Sequence, residues 1–120
     1  MCEVTIEKLR NLLVITFKGK VKKEETGKMC EDLKRLLPQM QKGFRVLTDL
    51  SGLEKMEEAA RPDIEEAMEL CNQYGVSKVV RVIPDSTKDL GFNILSLFHY
   101  SKHVIIHKCN SSEEARSHLT

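Results

Sequence analysis

Two short alternating runs open the chain. In EVTIEKLRNLLVITFKG, Val4 and Ile6 share one face, and Leu13, Ile15 and Phe17 share another, on either side of Arg10-Asn11. Apolar residues at period two predict strands, and two such runs around a polar break predict a hairpin. The period then lengthens. Met29, Leu33, Leu36, Leu37 and Met40 recur at helical spacing and predict one helix over about 23–41 with a single apolar stripe. Pro38 should kink or fray its last turn, and Gly43 marks the exit.

Residues 43–50, GFRVLTDL, read as a strand. The helix after it has a well-marked start. Pro62 suits a first turn because its missing N–H has no helical partner there. Asp63, Glu65 and Glu66 place negative charge near the positive end of the helix dipole. Ile64, Ala67, Met68 and Cys71 make its buried face, and Gly75 ends it. Residues 76–83 are β-branched enough for a central strand that Pro84 closes. Ser86-Thr87-Lys88-Asp89 matches a capping box and predicts a third helix. His103–His107 reads as a fifth strand. Ser111 or Ser112, followed by Glu113 and Glu114, opens a last helix through about Leu119.

The order β-β-α-β-α-β-α-β-α predicts an α/β fold. Its sheet is mixed and mostly parallel, with about five strands, an antiparallel hairpin at its N-terminal side, and about four helices. No repeat or low-complexity linker divides the chain, so 1–120 reads as one domain. Asp49 would emerge at the end of an interior strand, on the rim where open α/β sheets bind their ligands.

Composition narrows the function. At 120 residues, 41% hydrophobic and 31% charged, the chain is an ordinary globular domain. Nineteen basic residues against eighteen acidic ones give no global reason to expect nucleic acid or an anionic membrane as partner. Lys18, Lys20, Lys22 and Lys23 cluster, but Glu24 and Glu25 follow at once, as at a solvated strand-to-helix corner. No apolar run approaches the ~20 residues of a spanning helix, and the first residues lack a signal-like pattern. The expected compartment is the cytoplasm. Cys2, Cys30, Cys71 and Cys109 lie far apart with no CxxC pair, which predicts free thiols, two of them on helix faces.

In its order of elements the chain resembles the STAS domain of anti-sigma-factor antagonists, over nearly its whole length. The sequence support is narrower: the strand ending in DLSG within Val46–Met56, Val79–Pro84, and the closing Ser111–Leu119 stretch. The resemblance implies a non-enzymatic regulatory or protein-binding module. In that family a loop after DLS carries a serine, in a D-S-S-G-like segment, whose phosphorylation breaks a protein complex. Met56-Glu57-Glu58-Ala59-Ala60-Arg61 occupies that place here. Glu57 stands for the aspartate, Glu58 and Ala59 for the two serines, and Ala60 for the glycine, so the hydroxyl is gone. A carboxylate at Glu58 is a weaker substitute for phosphate, with one charge and planar geometry. Ser51 is the remaining candidate for modification. Its plainer role, with Asp49, is to satisfy turn N–H groups before Gly52.

Catalytic chemistry finds little support. Glu57-Glu58 and Glu65-Glu66 are neighbours whose side chains point apart on a helix. No glycine-rich phosphate loop and no nucleophile elbow occurs. Asp49 resembles the acceptor aspartate of receiver domains, but the hairpin offers no acidic partners to hold magnesium. His99, His103 and His107 are spaced by four, as zinc ligands on a helix would be. In a strand that spacing spans about 13 Å, and Cys109 on the same parity adds no convergence. The reading therefore names no catalytic residue, no metal site and no cofactor.

The expected third helix carries more apolar surface than a sheet needs. Leu90, Ile94, Leu97 and Phe98 form one stripe, while Phe92, Leu95 and Tyr100 extend it. The expected partner surface thus joins Asp49, Ser51, Glu57 and Glu58 on an acidic edge to Phe92, Leu95 and Tyr100. It would face a protein partner or a second copy of the chain. A small apolar or nucleotide ligand, held between hairpin and third helix, is the alternative.

Overall fold

A computed structural model of the chain describes residues 1–82 and 104–119. Five strands form one sheet in sequence order: β1 (Cys2–Glu7), β2 (Leu12–Val21), β3 (Arg45–Met56), β4 (Lys78–Val82) and β5 (Ile105–Cys109). β1 and β2 pair antiparallel, and every later pairing is parallel. Three helices accompany them among the described residues: α1 (Lys23–Leu36), α2 (Arg61–Gln73) and α3 (Ser112–Ser117). The expected count was four; the helix expected from Ser86 lies outside the described residues.

The hairpin turns through a short 3-10 segment at Lys8–Arg10 and Asn11 in the left-handed region, at φ 50°. Its register sets Val4 opposite Ile15 and Ile6 opposite Leu13. The two apolar sets expected on separate faces therefore share one. Pro38 acts as expected: α1 stops at Leu36, and Leu37–Gln39 tighten into a 3-10 turn. The two crossovers then close on each other, Gly43 N–H donating to the Gly75 carbonyl at 2.8 Å. Gly75 has φ 89°, and a Cβ there would meet the Lys42 side chain at 2.7 Å, so only glycine fits without a shift.

Each face of the sheet has its own core. On one, α1 and α2 lay Met29, Leu33, Leu37, Ile64, Met68 and Cys71 over Leu13, Phe17, Val46, Leu50 and Val79. On the other, Leu12, Leu47, Val80, Val82 and Cys109 meet only Ala115 and Leu119 among the described residues. α3 is six residues long, too short to be stable alone. Its ends are tied instead: Ser111 caps its start, and the side chains of Arg45 and Lys78 donate to the Leu119 and His118 carbonyls. Cations at a helix C-terminus also complement its dipole. Arg116 pairs with Glu7 at 2.9 Å.

Candidate functional site at the carboxyl rim of the sheet

The parallel strands β2 to β5 end on one rim, at Val21, Met56, Val82 and Cys109, and α1, α2 and α3 all start from it. Asp49 lies on the middle strand, at the last rung that β3 shares with β4, opposite Val82. β3 does not end there, as the sequence reading expected. It continues to Met56, paired with β2 alone through register shifts at Thr16/Lys18 and Gly19/Lys20. The Asp49 side chain holds this departure. Its Oδ1 accepts from the Ser51 N–H at 3.0 Å and from the Ser51 hydroxyl at 2.6 Å. Its Oδ2 accepts from the Ser112 hydroxyl at 3.3 Å, which ties the start of α3 to β3.

The longer strand also separates the expected acidic edge. Asp49 and Glu57 are eight residues apart along extended chain, roughly 26 Å at a strand's rise. Glu57 sits beside the start of α1, where its carboxylate accepts from the Lys23 N–H at 3.1 Å. Glu58 opens a 3-10 turn (Glu58–Ala60) that leads into α2. Glu25 performs the matching role within α1. It accepts from the Lys22 N–H at 3.0 Å and pairs with the chain's amino group at 3.1 Å. The Lys22 N–H foremost, with that ammonium, holds the Glu25 carboxyl below the usual range.

At this end of the rim, Lys20, Val21, Lys22, Glu24, Lys55 and Glu57 enclose a groove of about 530 Å³. Among the described residues no salt bridge engages Lys20, Lys22 or Lys55. The place expected to be acidic is therefore a groove in which three lysines stand against Glu24 and Glu57. Periodicity could not reveal it, because Lys55 reaches the Lys20–Lys22 corner only through the extended β2–β3 ribbon.

Two clusters unite thiols with carboxylates. In the first, Cys30, Asp63 and Glu66 join α1 to α2. Asp63 is buried and accepts from Lys23 Nζ at 2.6 Å and from the Thr26 hydroxyl at 2.7 Å. Its side chain is thus a lock between helices as well as a partner for the dipole. Cys30 Sγ donates to the Asp63 carbonyl at 3.2 Å, and Glu66 pairs with Lys34 at 3.0 Å. Burial first, then the Glu66 and Asp63 charges, push the Cys30 thiol up to about 12. Burial does the same to Cys71, and burial with Glu25 to Cys2. The hydrogen bond that Lys23 donates to Asp63 raises the Lys23 pKa. All four cysteines are free thiols, as expected.

The second cluster is Cys109 on β5 with Glu114 and His118 from α3 and its C-terminal turn. Their ligand atoms all lie within 4.8 Å of one another. Glu114 Oε2 accepts from the Asn110 N–H at 3.0 Å. His107, on the same strand face as Cys109, stacks on His118 with centroids 4.6 Å apart and planes 17° from parallel. The spacing of His107 with His99 and His103, which lie outside the described residues, does not reveal this convergence. The usable signal was His-x-Cys on a strand followed by Glu-x-x-x-His on a helix. As a nucleophile the thiol is poorly placed. Cys109 is 1% exposed, and burial and the Glu114 charge raise its pKa, the reverse of an activated cysteine.

Phe92, Leu95 and Tyr100, with Pro84 and Ser86, lie outside the described residues. β5 exposes Ile105, at 58%, and Ile106. Among the described residues no helix is long and apolar enough to cross a membrane.

This arrangement is a SpoIIAA-like fold. The chain matches the anti-sigma-factor antagonist SpoIIAA in its unphosphorylated form with a TM-score of 0.69 at 11% identity, covering 99% of this chain and 97% of that one. It matches an uncharacterized protein of the DUF3478 family with a SpoIIAA-like fold, from Shewanella loihica PV-4, with a TM-score of 0.67 at 16% identity, covering 99% and 93%. No family model and no curated protein matches the chain.

Proposed function

We propose that the chain is a non-enzymatic regulatory module that docks a protein partner at the carboxyl rim. The observation that carries this reading is the groove at the end of β2 and β3, where Lys20, Lys22 and Lys55 stand beside Glu24 and Glu57 without a salt bridge among the described residues. Such a lining suits an acidic surface, because complementary charge steers encounter and fixes register. The similarity to SpoIIAA, an anti-sigma-factor antagonist, supports a regulatory role. Glu57 and Glu58 border the docking surface at the start of α2, and Phe92, Leu95 and Tyr100, outside the described residues, are the proposed apolar anchors. Asp49 and Ser51 act at a distance from the groove, by holding the β3 departure. Glu58 and Ala59 stand where the resemblance expects serines, so docking here is not released by phosphorylation at that position. Ser51, exposed beside Asp49, is the hydroxyl left for modification.

A photo-crosslinking residue at Lys55, compared with one at Lys8 on the opposite edge, tests this in the source cells. Discrete adducts from position 55 alone, lost on combining K20E and K22E, are expected. Equal patterns from both positions, or none, would overturn it. An adduct of twice the chain's mass would identify a second copy as the partner.

A second reading rests on the groove's size. About 530 Å³ falls within the range of small-molecule sites, and lysines suit a phosphorylated ligand or an acidic lipid head. Thermal shifts with nucleotides and fatty acids, abolished by K55E, would favour this reading over protein docking.

A further inference from the structure

We propose that Cys109, Glu114 and His118 bind one divalent transition-metal ion of the zinc type at the junction of β5 and α3. Thiolate, imidazole and carboxylate are the donor set such an ion prefers, and three protein ligands leave a fourth position for water or an exogenous donor. The residues converge from two elements. Cys109 comes from the strand, and Glu114 and His118, four apart, sit one helical turn from each other. Their donor atoms lie within 4.8 Å of one another, against about 3.3–3.8 Å in a closed tetrahedral site. Closing that difference asks only for rotamer changes in two side chains near the surface.

Two of the three donors, the thiol and the imidazole, are also uncommitted among the described residues. Among the described residues no hydrogen bond engages Cys109 Sγ or the ring nitrogens of His107 and His118. The Asn110 N–H orients one oxygen of Glu114 and leaves the other for an ion. The scaffold is held from outside the cluster. Lys78 bonds the His118 carbonyl, Arg116 pairs with Glu7, and His107 stacks on the His118 ring. The Cys30–Asp63–Glu66 cluster differs on each point, since its donors already serve Lys23, Thr26 and Lys34.

Cobalt titration of the full-length, reduced chain tests the site. Expected are one Co²⁺ per chain, a thiolate-to-cobalt charge-transfer band with a tetrahedral ligand-field spectrum, and displacement by one Zn²⁺. Cys109→Ser should abolish the charge-transfer band. His118→Gln and Glu114→Gln, both near the surface and safe for folding, should each weaken binding at least about tenfold. Cys30→Ala should bind like the parent. Absence of stoichiometric binding, wild-type affinity in H118Q and E114Q, or loss of the band in C30A would overturn the proposal.

Discussion

The molecule builds two clusters from similar chemistry, a thiol beside carboxylates, one on each side of the sheet, and they differ in what their polar atoms are doing. Between α1 and α2, Asp63 accepts from Lys23 and Thr26 and Glu66 is spent on Lys34. Between β5 and α3, one oxygen of Glu114 holds a backbone N–H, while the thiol and the stacked imidazoles make no hydrogen bond among the described residues. Asp63 is buried and needs its partners, which makes that set a structural joint, whereas only Cys109 of the other set is buried and Glu114 stays open to solvent, where an ion can reach it. The cores repeat the contrast. Among the described residues, one face carries a large cluster under two long helices, and the other a smaller one under the six residues of α3.

The sharpest way to break the comparison is to hollow out each side. Leu33→Ala, at a wholly buried position under α1, should cost about 3–5 kcal/mol in denaturant unfolding. Leu119→Ala, in the smaller cluster, should fall nearer 2 kcal/mol. Equal losses would show Leu119 to be packed as tightly as Leu33. Next, Asp63→Ala strips the acceptor from the Lys23 ammonium and the Thr26 hydroxyl and should cost about 1–3 kcal/mol, whereas Glu114→Ala, freeing a single exposed N–H, should cost under about 1 kcal/mol.

Alkali sharpens the contrast by titration. The thiols of Cys2, Cys30 and Cys71 ionise near 12 in the folded chain against an ordinary 9.0. Between those values the unfolded chain loses protons first, so stability should fall as pH rises from 9 towards 12. The raised Lys23 acts in the same direction, its contribution present below 10.5 and lost as pH climbs through the folded value. Cys71→Ala should flatten the fall, as measured by melting midpoints across that window. The smallest effect belongs to the half-exposed Arg116–Glu7 pair, where Arg116→Ala should change stability by less than about 1 kcal/mol.

The order of strands and helices was legible because each element states its own period. Pro38, Pro62, Gly43 and Gly75 set boundaries through local backbone rules, and Ser111 capped the last helix within the range read from sequence. The length of β3 was not legible. Ser51 and Gly52 look like a strand end, and only pairing with β2 carries the chain on to Met56. That one extension moved Glu57 away from Asp49 and made the groove. The Cys109 cluster was missed for a related reason. Its members join through the packing of α3 on the sheet, a contact that spacing within one element cannot express.

Native-state amide hydrogen exchange, read residue by residue before and after adding Zn²⁺, tests the closed-and-open account most directly. Slow exchange that Zn²⁺ leaves unchanged is expected along β2, β3, α1 and α2, with faster exchange in β5 and α3 that Zn²⁺ slows. Uniform protection across both faces, or no response of β5 and α3 to the ion, would contradict it.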